Sequence, residues 1–110
     1  MLTDEYRYRI LKLLDSDPEM SQRQLARELD ISLGRVNYCL QALIEKGFVK
    51  VGNFRNSNDK RAYLYMLTPS GIKAKAKITL KFLKVKIAEY ETLRKEVSDL
   101  RREAASLKRQ

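Results

Sequence analysis

The sequence contains no histidine, no tryptophan and only one cysteine, Cys39. One cysteine without histidine cannot build a zinc site or an internal disulfide, and the commonest catalytic base is missing. The chain also lacks a glycine-rich phosphate loop and an apolar run of the roughly 18 residues needed to span a bilayer, and its first residues lack the apolar stretch of a signal peptide. These absences argue against an enzyme, a metal or cofactor site and a membrane span, and the unpaired thiol favours the reducing cytoplasm.

Charge is abundant but unevenly distributed. The formal net charge of the 110 residues is +9. Residues 1–70 carry 11 Lys/Arg against 9 Asp/Glu, whereas residues 71–110 carry 12 against 5. A basic chain of this size favours a polyanionic partner, either nucleic acid or an anionic membrane surface, and charge alone does not decide between them.

The first predicted helix begins after Thr3, a suitable N-cap residue, and runs to about Asp15. The polar segment that follows contains Pro18 and is expected to form a turn. Apolar residues recur at helical spacing along the helix and predict one buried stripe. The members of this stripe are Tyr6, Ile10, Leu13 and Leu14.

Two further helices are predicted from their ends. Ser21, with Gln24 three residues later, forms a capping-box pattern that opens the second helix. Ser32 caps a third helix that runs to Lys46, and Gly47 follows where a left-handed residue commonly ends a helix. The residues of these two helices expected to face the core are Leu25, Ala26, Leu29, Val36, Leu40, Leu43 and Ile44.

Two strand-like segments come next, Phe48–Val51 and Ala62–Leu67. The second alternates aromatic and aliphatic residues, and the basic, turn-prone segment Gly52–Arg61 separates the two, which predicts a hairpin with a long loop. Thr68 as N-cap and Pro69 at the first helical position then open a last helix that continues almost to the end of the chain.

Three helices followed by a two-stranded hairpin is the order of a winged helix-turn-helix domain, in which the third helix enters the major groove of DNA. We therefore predict a mainly α fold with a small β-hairpin wing in residues 1–71, followed by a long helix in residues 72–110. The third helix carries polar residues that can meet base edges or approach the groove closely, and the wing carries cations for phosphates or the minor groove. The predicted DNA-binding residues are Ser32, Gly34, Arg35, Asn37, Tyr38, Gln41, Arg55, Lys60 and Arg61.

Each of these features has a simpler interpretation. A polar helix face usually meets only water, and a basic loop is commonly a charged surface. A winged-helix module can also bind protein or RNA without reading duplex DNA. The ordered combination of capped helices, tight turn, glycine stop and basic hairpin favours double-stranded DNA.

Four segments of the chain resemble MarR-type regulators: Met20–Ser32, Leu43–Val49, Asp59–Ala62 and Leu67–Gly71. Two segments, Leu2–Tyr8 and Ile31–Leu40, are similar more specifically to the EPS-associated MarR-family transcriptional regulators. The resemblance implies a regulator of exopolysaccharide genes in a bacterium or archaeon. MarR-type proteins usually place another helix before this domain, where it helps to form the dimer and an effector pocket. This sequence opens almost directly at the first domain helix, which departs from that pattern, and no small-molecule effector is evident from the sequence.

The end of the chain carries the 3–4 spacing of a coiled coil. The predicted dimerisation seam is Tyr90, Leu93, Val97, Leu100, Ala104 and Leu107. In a parallel pair, the flanking acidic residues would face basic residues of the partner helix in three matched pairs: Glu89 with Arg94, Glu96 with Arg101 and Glu103 with Lys108. We predict a parallel coiled-coil homodimer; the alternative is an amphipathic helix that packs on its own domain.

Two features keep more than one interpretation. Six lysines precede Glu89 in the last helix without an intervening acid. A solvated face is expected, with contacts to DNA, to an acidic partner or to a membrane surface as alternatives. Cys39 is expected to be a buried structural thiol, because a redox sensor needs exposure and a lowered pKa.

Overall fold

The computed structural model describes residues 3–55 and 61–109, with the side chains at positions 54, 55 and 61 left undescribed. It confirms a mainly helical fold with a small antiparallel hairpin. The elements, in chain order, are α1 (Asp4–Ser16), α2 (Gln22–Leu29), α3 (Leu33–Glu45), β1 (Val49–Arg55), β2 (Arg61–Leu67) and α4 (Pro69–Leu107). Contacts divide the chain into two units, residues 1–79 and 80–110.

The helix starts follow the predicted caps. The Thr3 hydroxyl accepts a hydrogen bond from the backbone N–H of Tyr6 at 3.3 Å. At the start of α2, the Gln24 N–H donates to the Ser21 hydroxyl at 3.1 Å, and the Ser21 N–H donates to Gln24 Oε1 at 2.8 Å. This reciprocal pair is the predicted capping box, which satisfies two backbone donors that a helix end leaves without an intrahelical partner.

The end of α3 also follows its sequence signal. Gly47 has a φ of +77°, in the left-handed region that favours glycine. Its N–H donates to the Ile44 carbonyl at 2.9 Å, and the Phe48 N–H donates to the Leu43 carbonyl at 3.0 Å. These two bonds form a Schellman motif, which turns the chain out of α3 and into the hairpin.

The core of the first unit lies between the three short helices, the hairpin and the beginning of α4. Its buried members are Ile10, Leu11, Leu14, Leu25, Leu29, Val36, Cys39, Leu40, Leu43, Val49, Tyr65 and Ile78. Leu11 is absent from the predicted stripe, while Tyr6 and Leu13 are only half-buried. Because α1 contacts α2, α3 and β2, its buried surface extends around more of the helix than one stripe.

The hairpin strands are longer than predicted. The first continues beyond Val51 to Arg55, and the second begins at Arg61, one residue earlier than expected. Gly52 lies opposite Leu64 within the antiparallel register. The predicted loop was therefore wrong for residues 52–55 and for residue 61, which belong to the strands. Strand pairing satisfies backbone hydrogen-bonding groups whatever the polarity of the side chains, so a polar composition did not exclude a strand here. The remainder of the predicted loop, residues 56–60, lies outside the described residues.

Thr68 fastens the hairpin to the start of α4. Its hydroxyl donates to the Gly47 carbonyl at 2.5 Å and accepts from the Gly71 N–H at 3.0 Å, as expected of an N-cap. Its own N–H donates to the Phe48 carbonyl at 3.0 Å. A Cβ on Gly71 would overlap that same carbonyl oxygen, so this close approach of backbone requires glycine. Within the parts of the chain that the structure describes, no helix is long and apolar enough to cross a membrane.

Candidate nucleic-acid interface

Helix α3 presents a polar face opposite its buried one. Val36 and Leu40 mark the buried face and are fully enclosed. Successive helical residues rotate by about 100°, which places Gly34, Tyr38 and Gln41 along the opposite, outermost line. All three are exposed, Tyr38 by 57%, and a Cβ at Gly34 would have no heavy atom within 4 Å. This line is therefore open to a partner.

Arg35 lies on one flank of this outer line, where a ring from another helix supports it. The Arg35 Cζ is 5.5 Å from the ring centroid of Tyr6 in α1. A guanidinium above an aromatic face is held by the ring quadrupole. Ser32 lies at the start of the same helix, and its hydroxyl accepts from the Arg35 N–H at 3.2 Å, so this predicted DNA-binding residue also caps α3.

Asn37 lies on the opposite flank and is contacted by Gln22, the first residue of α2. Gln22 Nε2 donates to Asn37 Oδ1 at 3.5 Å and to the hydroxyl of Tyr65 at 3.0 Å. The predicted base readers are thus exposed but not equivalent. Arg35 and Asn37 are tied to neighbouring elements, whereas Gly34, Tyr38 and Gln41 occupy the outermost line.

The predicted wing residues are placed only in part. Arg55 and Arg61 are opposite one another at the last described pair of the hairpin ladder. Lys60 lies outside the described residues. Contacts of these three residues with DNA remain predictions.

A cleft beside the outer line was missed by sequence reasoning. It has a volume of about 430 Å³ and lies where the starts of α2 and α3 approach β2. Its lining residues are Glu19, Ser21, Gln22, Arg23, Leu33, Ala62, Tyr63 and Tyr65. Leu33 is exposed, although its residue type suggests core, so only the fold places it here. The period-2 alternation did place Tyr63 and Tyr65 on one side of β2, where their ring centroids are 6.2 Å apart.

Cys39 is fully buried in the core, on the inward side of α3. Burial raises the pKa of the thiol by penalising its charged form, which is the opposite of what a reactive thiolate requires. This environment fits the structural thiol expected from the sequence. Among residues 3–55 and 61–109, no three His, Cys, Asp or Glu side chains come together in a group that could hold a metal ion.

The second unit consists of the later part of α4 and bears an exposed apolar surface. Tyr90, Leu93, Leu100 and Leu107 are each more than half exposed, and Val97 is 39% exposed. The whole predicted seam, including Ala104, is therefore accessible in the single chain.

Two of the predicted flanking charges already form ion pairs within their own helix. Glu89 is 3.2 Å from Lys86, and Arg94 is 3.9 Å from Glu91. Both pairs are exposed, and such pairs contribute little and exchange readily for others. The coiled coil and the homodimer remain predictions.

Comparison with known proteins agrees with this architecture. Residues 3–50 match the family described as winged helix-turn-helix DNA-binding. The three helices, the hairpin and this match define a winged helix-turn-helix domain. No curated protein matches the chain in sequence.

Solved structures with this fold include MarR-family regulators. A MarR family protein of Mycobacterium tuberculosis, in complex with salicylic acid, is 23% identical with a TM-score of 0.55, over 67% of this chain and 53% of that one. A transcriptional regulator homologue from Pyrococcus horikoshii is 21% identical with a TM-score of 0.58, over 76% and 81% of the two chains. The zinc-dependent MarR family regulator AdcR, in its Zn(II)-bound state, is 26% identical with a TM-score of 0.56, over 84% and 60%.

The matched part of this chain thus spans little more than half the length of the mycobacterial protein. The family match supports DNA binding by the winged helix-turn-helix domain, and these structural neighbours share its fold. They extend the resemblance to MarR-type proteins from sequence segments to the fold. The more specific resemblance to EPS-associated regulators stays a prediction.

Proposed function

We propose that this chain is a sequence-specific regulator of transcription that reads double-stranded DNA with α3. The observation that carries the proposal is the exposed outer line of Gly34, Tyr38 and Gln41, flanked by Arg35 and Asn37. Arginine can donate two hydrogen bonds to guanine, and asparagine or glutamine can pair with adenine in the major groove. A glycine on this line lets the helix approach base edges closely.

Phosphate contacts would come from the sides of this reading helix. Arg55, Lys60 and Arg61 of the wing supply positive charge without base selection, and Ser32 lies at the N-terminal end of α3. Contacts of this kind fix the register of a protein on the duplex and make affinity depend on salt.

The regulator would act as a homodimer. The exposed apolar seam from Tyr90 to Leu107 supports this step, together with the three complementary charge pairs of a parallel register. A parallel coiled coil has a twofold axis along its length, so the two reading domains share that axis. The operator is then an inverted repeat, with half-site centres one helical turn or a multiple apart.

The target genes and the compartment rest on resemblance and composition. The similarity of Ile31–Leu40 to EPS-associated regulators supports exopolysaccharide genes as targets. Action in the cytoplasm follows from a role in transcription and from the unpaired buried thiol. Selection of bound fragments from genomic DNA would identify the target genes directly.

Binding measurements on selected duplexes test the proposal. Operators are first selected from random duplexes, and dissociation constants are then measured at fixed salt for wild type, Arg35→Ala and Gln41→Ala. We expect each substitution to weaken the preferred site and to relax base preference at one position. Arg102→Ala is the matched control, because this exposed arginine lies in the second unit, off the seam, and pairs with Asp99 at 3.3 Å. Selection that yields no preferred sequence, or tighter binding to RNA duplexes, would overturn the proposal.

A further inference from the structure

The side chain of Gln22 connects three elements of the first unit. It begins α2, donates to Tyr65 in β2 and donates to Asn37 in α3. Tyr65 is only 4% exposed, so its ring is anchored in the core, whereas Asn37 is exposed. The amide nitrogen of glutamine carries two hydrogens, so both bonds can form at once. A buried anchor thus holds Gln22, and Gln22 contacts an exposed residue of the reading helix.

This contact defines the orientation of the Asn37 amide. An asparagine side chain has an oxygen that accepts and a nitrogen that donates, and rotation by 180° exchanges them. Because Gln22 Nε2 is a donor, Asn37 Oδ1 is turned towards it, and Asn37 Nδ2 is turned away. Adenine recognition by asparagine requires its oxygen and nitrogen to face defined atoms of the base edge. Fixing the amide beforehand also lowers the entropic cost of making that contact.

We propose that Gln22 is a positioning residue that sets the amide orientation of Asn37 and thereby the base preferred at the position that Asn37 reads. The inference rests on the proposed function, since it assigns a role within the same reading surface. Gln22 acts through Asn37, and the inference requires no contact between Gln22 and a base.

Base preference, measured position by position, separates positioning from simple structural support. We expect Asn37→Ala to reduce discrimination at one operator position by about tenfold. Gln22→Ala should reduce discrimination at the same position by about threefold or more, and should add nothing when Asn37 is already alanine. In Gln22→Glu a carboxylate oxygen replaces the donating amide, so the Tyr65 hydroxyl, which accepts in the wild type, can donate to it instead. The carboxylate has no hydrogen to donate to Asn37 Oδ1. This variant should therefore lose the preference as Gln22→Ala does, while retaining its link to the core.

Gln24→Ala supplies the structural control. Gln24 is the same residue type in the same helix, but its Oε1 accepts from the Ser21 N–H within the capping box. Its loss should lower the melting temperature and leave the base-preference profile unchanged.

Three results would contradict the inference in different ways. Unchanged preference in both Gln22 variants, with an altered profile in Asn37→Ala, would overturn the positioning role and leave the proposed function intact. Equal weakening on every sequence by the Gln22 variants would likewise overturn it, because purely structural support does not select a base. A wild-type chain without base preference would overturn the proposed function itself.

Discussion

Replacement of Leu100 by alanine tests the proposed dimer quantitatively. Leu100 is 62% exposed in the single chain, so more than half of its side chain remains to be buried by a second copy. The substitution removes about three carbon groups, and burying each one fully stabilises by about 0.8 kcal/mol. Because only the exposed 62% of the residue is left for the partner to bury, the loss of association free energy is about 1.5 kcal/mol per chain. A symmetric dimer contains the residue twice, so association should weaken by about 3 kcal/mol, or about 150-fold in Kd.

Sedimentation equilibrium measures this Kd, and a neighbouring pair of alanines provides the control. Ala104 belongs to the seam, whereas Ala105 is one position outside it. Ala104→Arg should dissociate the dimer, because it places a long cation between the apolar surfaces. Ala105→Arg adds the same charge and should leave the Kd unchanged. If Leu100→Ala and Ala104→Arg dimerised as wild type does, the seam would not be the interface.

The remaining expectations concern the reading helix, the core and the operator. Arg35→Ala should cost about 1–3 kcal/mol on the preferred site and relax its base preference, whereas Lys60→Ala should weaken binding evenly across sequences in the same binding assay. Gly71→Ala should lower the free energy of unfolding by about 1–3 kcal/mol, because its Cβ would overlap a backbone carbonyl; Gly34→Ala, with open space around it, should be neutral or stabilise by up to about 1 kcal/mol in the same denaturation experiment. Burial raises the pKa of Cys39, so its contribution to stability is complete below the ordinary thiol pKa and is lost as the pH rises through the raised value; urea denaturation at alkaline pH should show this decline, and Cys39→Ala should remove it. Inserting five base pairs between the operator half-sites should weaken binding sharply, and inserting about ten should restore part of it, whereas equal binding at every spacing would mean that the two domains dock independently.

Features with local causes were predicted well. The Ser21–Gln24 capping box and the left-handed Gly47 each depend on residues only a few positions apart, and the structure contains both. The order of three helices and a hairpin followed from such signals and was confirmed by the fold.

Features with distant causes were not predictable in the same way. Leu11 is buried because three elements cover α1, which the periodicity of that helix alone does not reveal. The directions of Arg35 and Asn37 around α3 follow from helix geometry, but the contacts that these two side chains make with other helices do not. Tyr6 and Gln22 belong to other helices and reach α3 only through the packing of the domain.

The division of the α3 surface has a consequence for how such a regulator can change its target during evolution. The side chains of Tyr38 and Gln41 form no hydrogen bond or ring contact with other described residues, so we expect a single mutation there to alter the preferred operator without loss of fold. Asn37 is different, because Gln22 Nε2 donates to its Oδ1. If Gln22 positions this amide as proposed, an exchange at one position should favour an exchange at the other. Among related regulators that recognise different operators, we therefore expect positions 38 and 41 to vary independently and positions 22 and 37 to vary together.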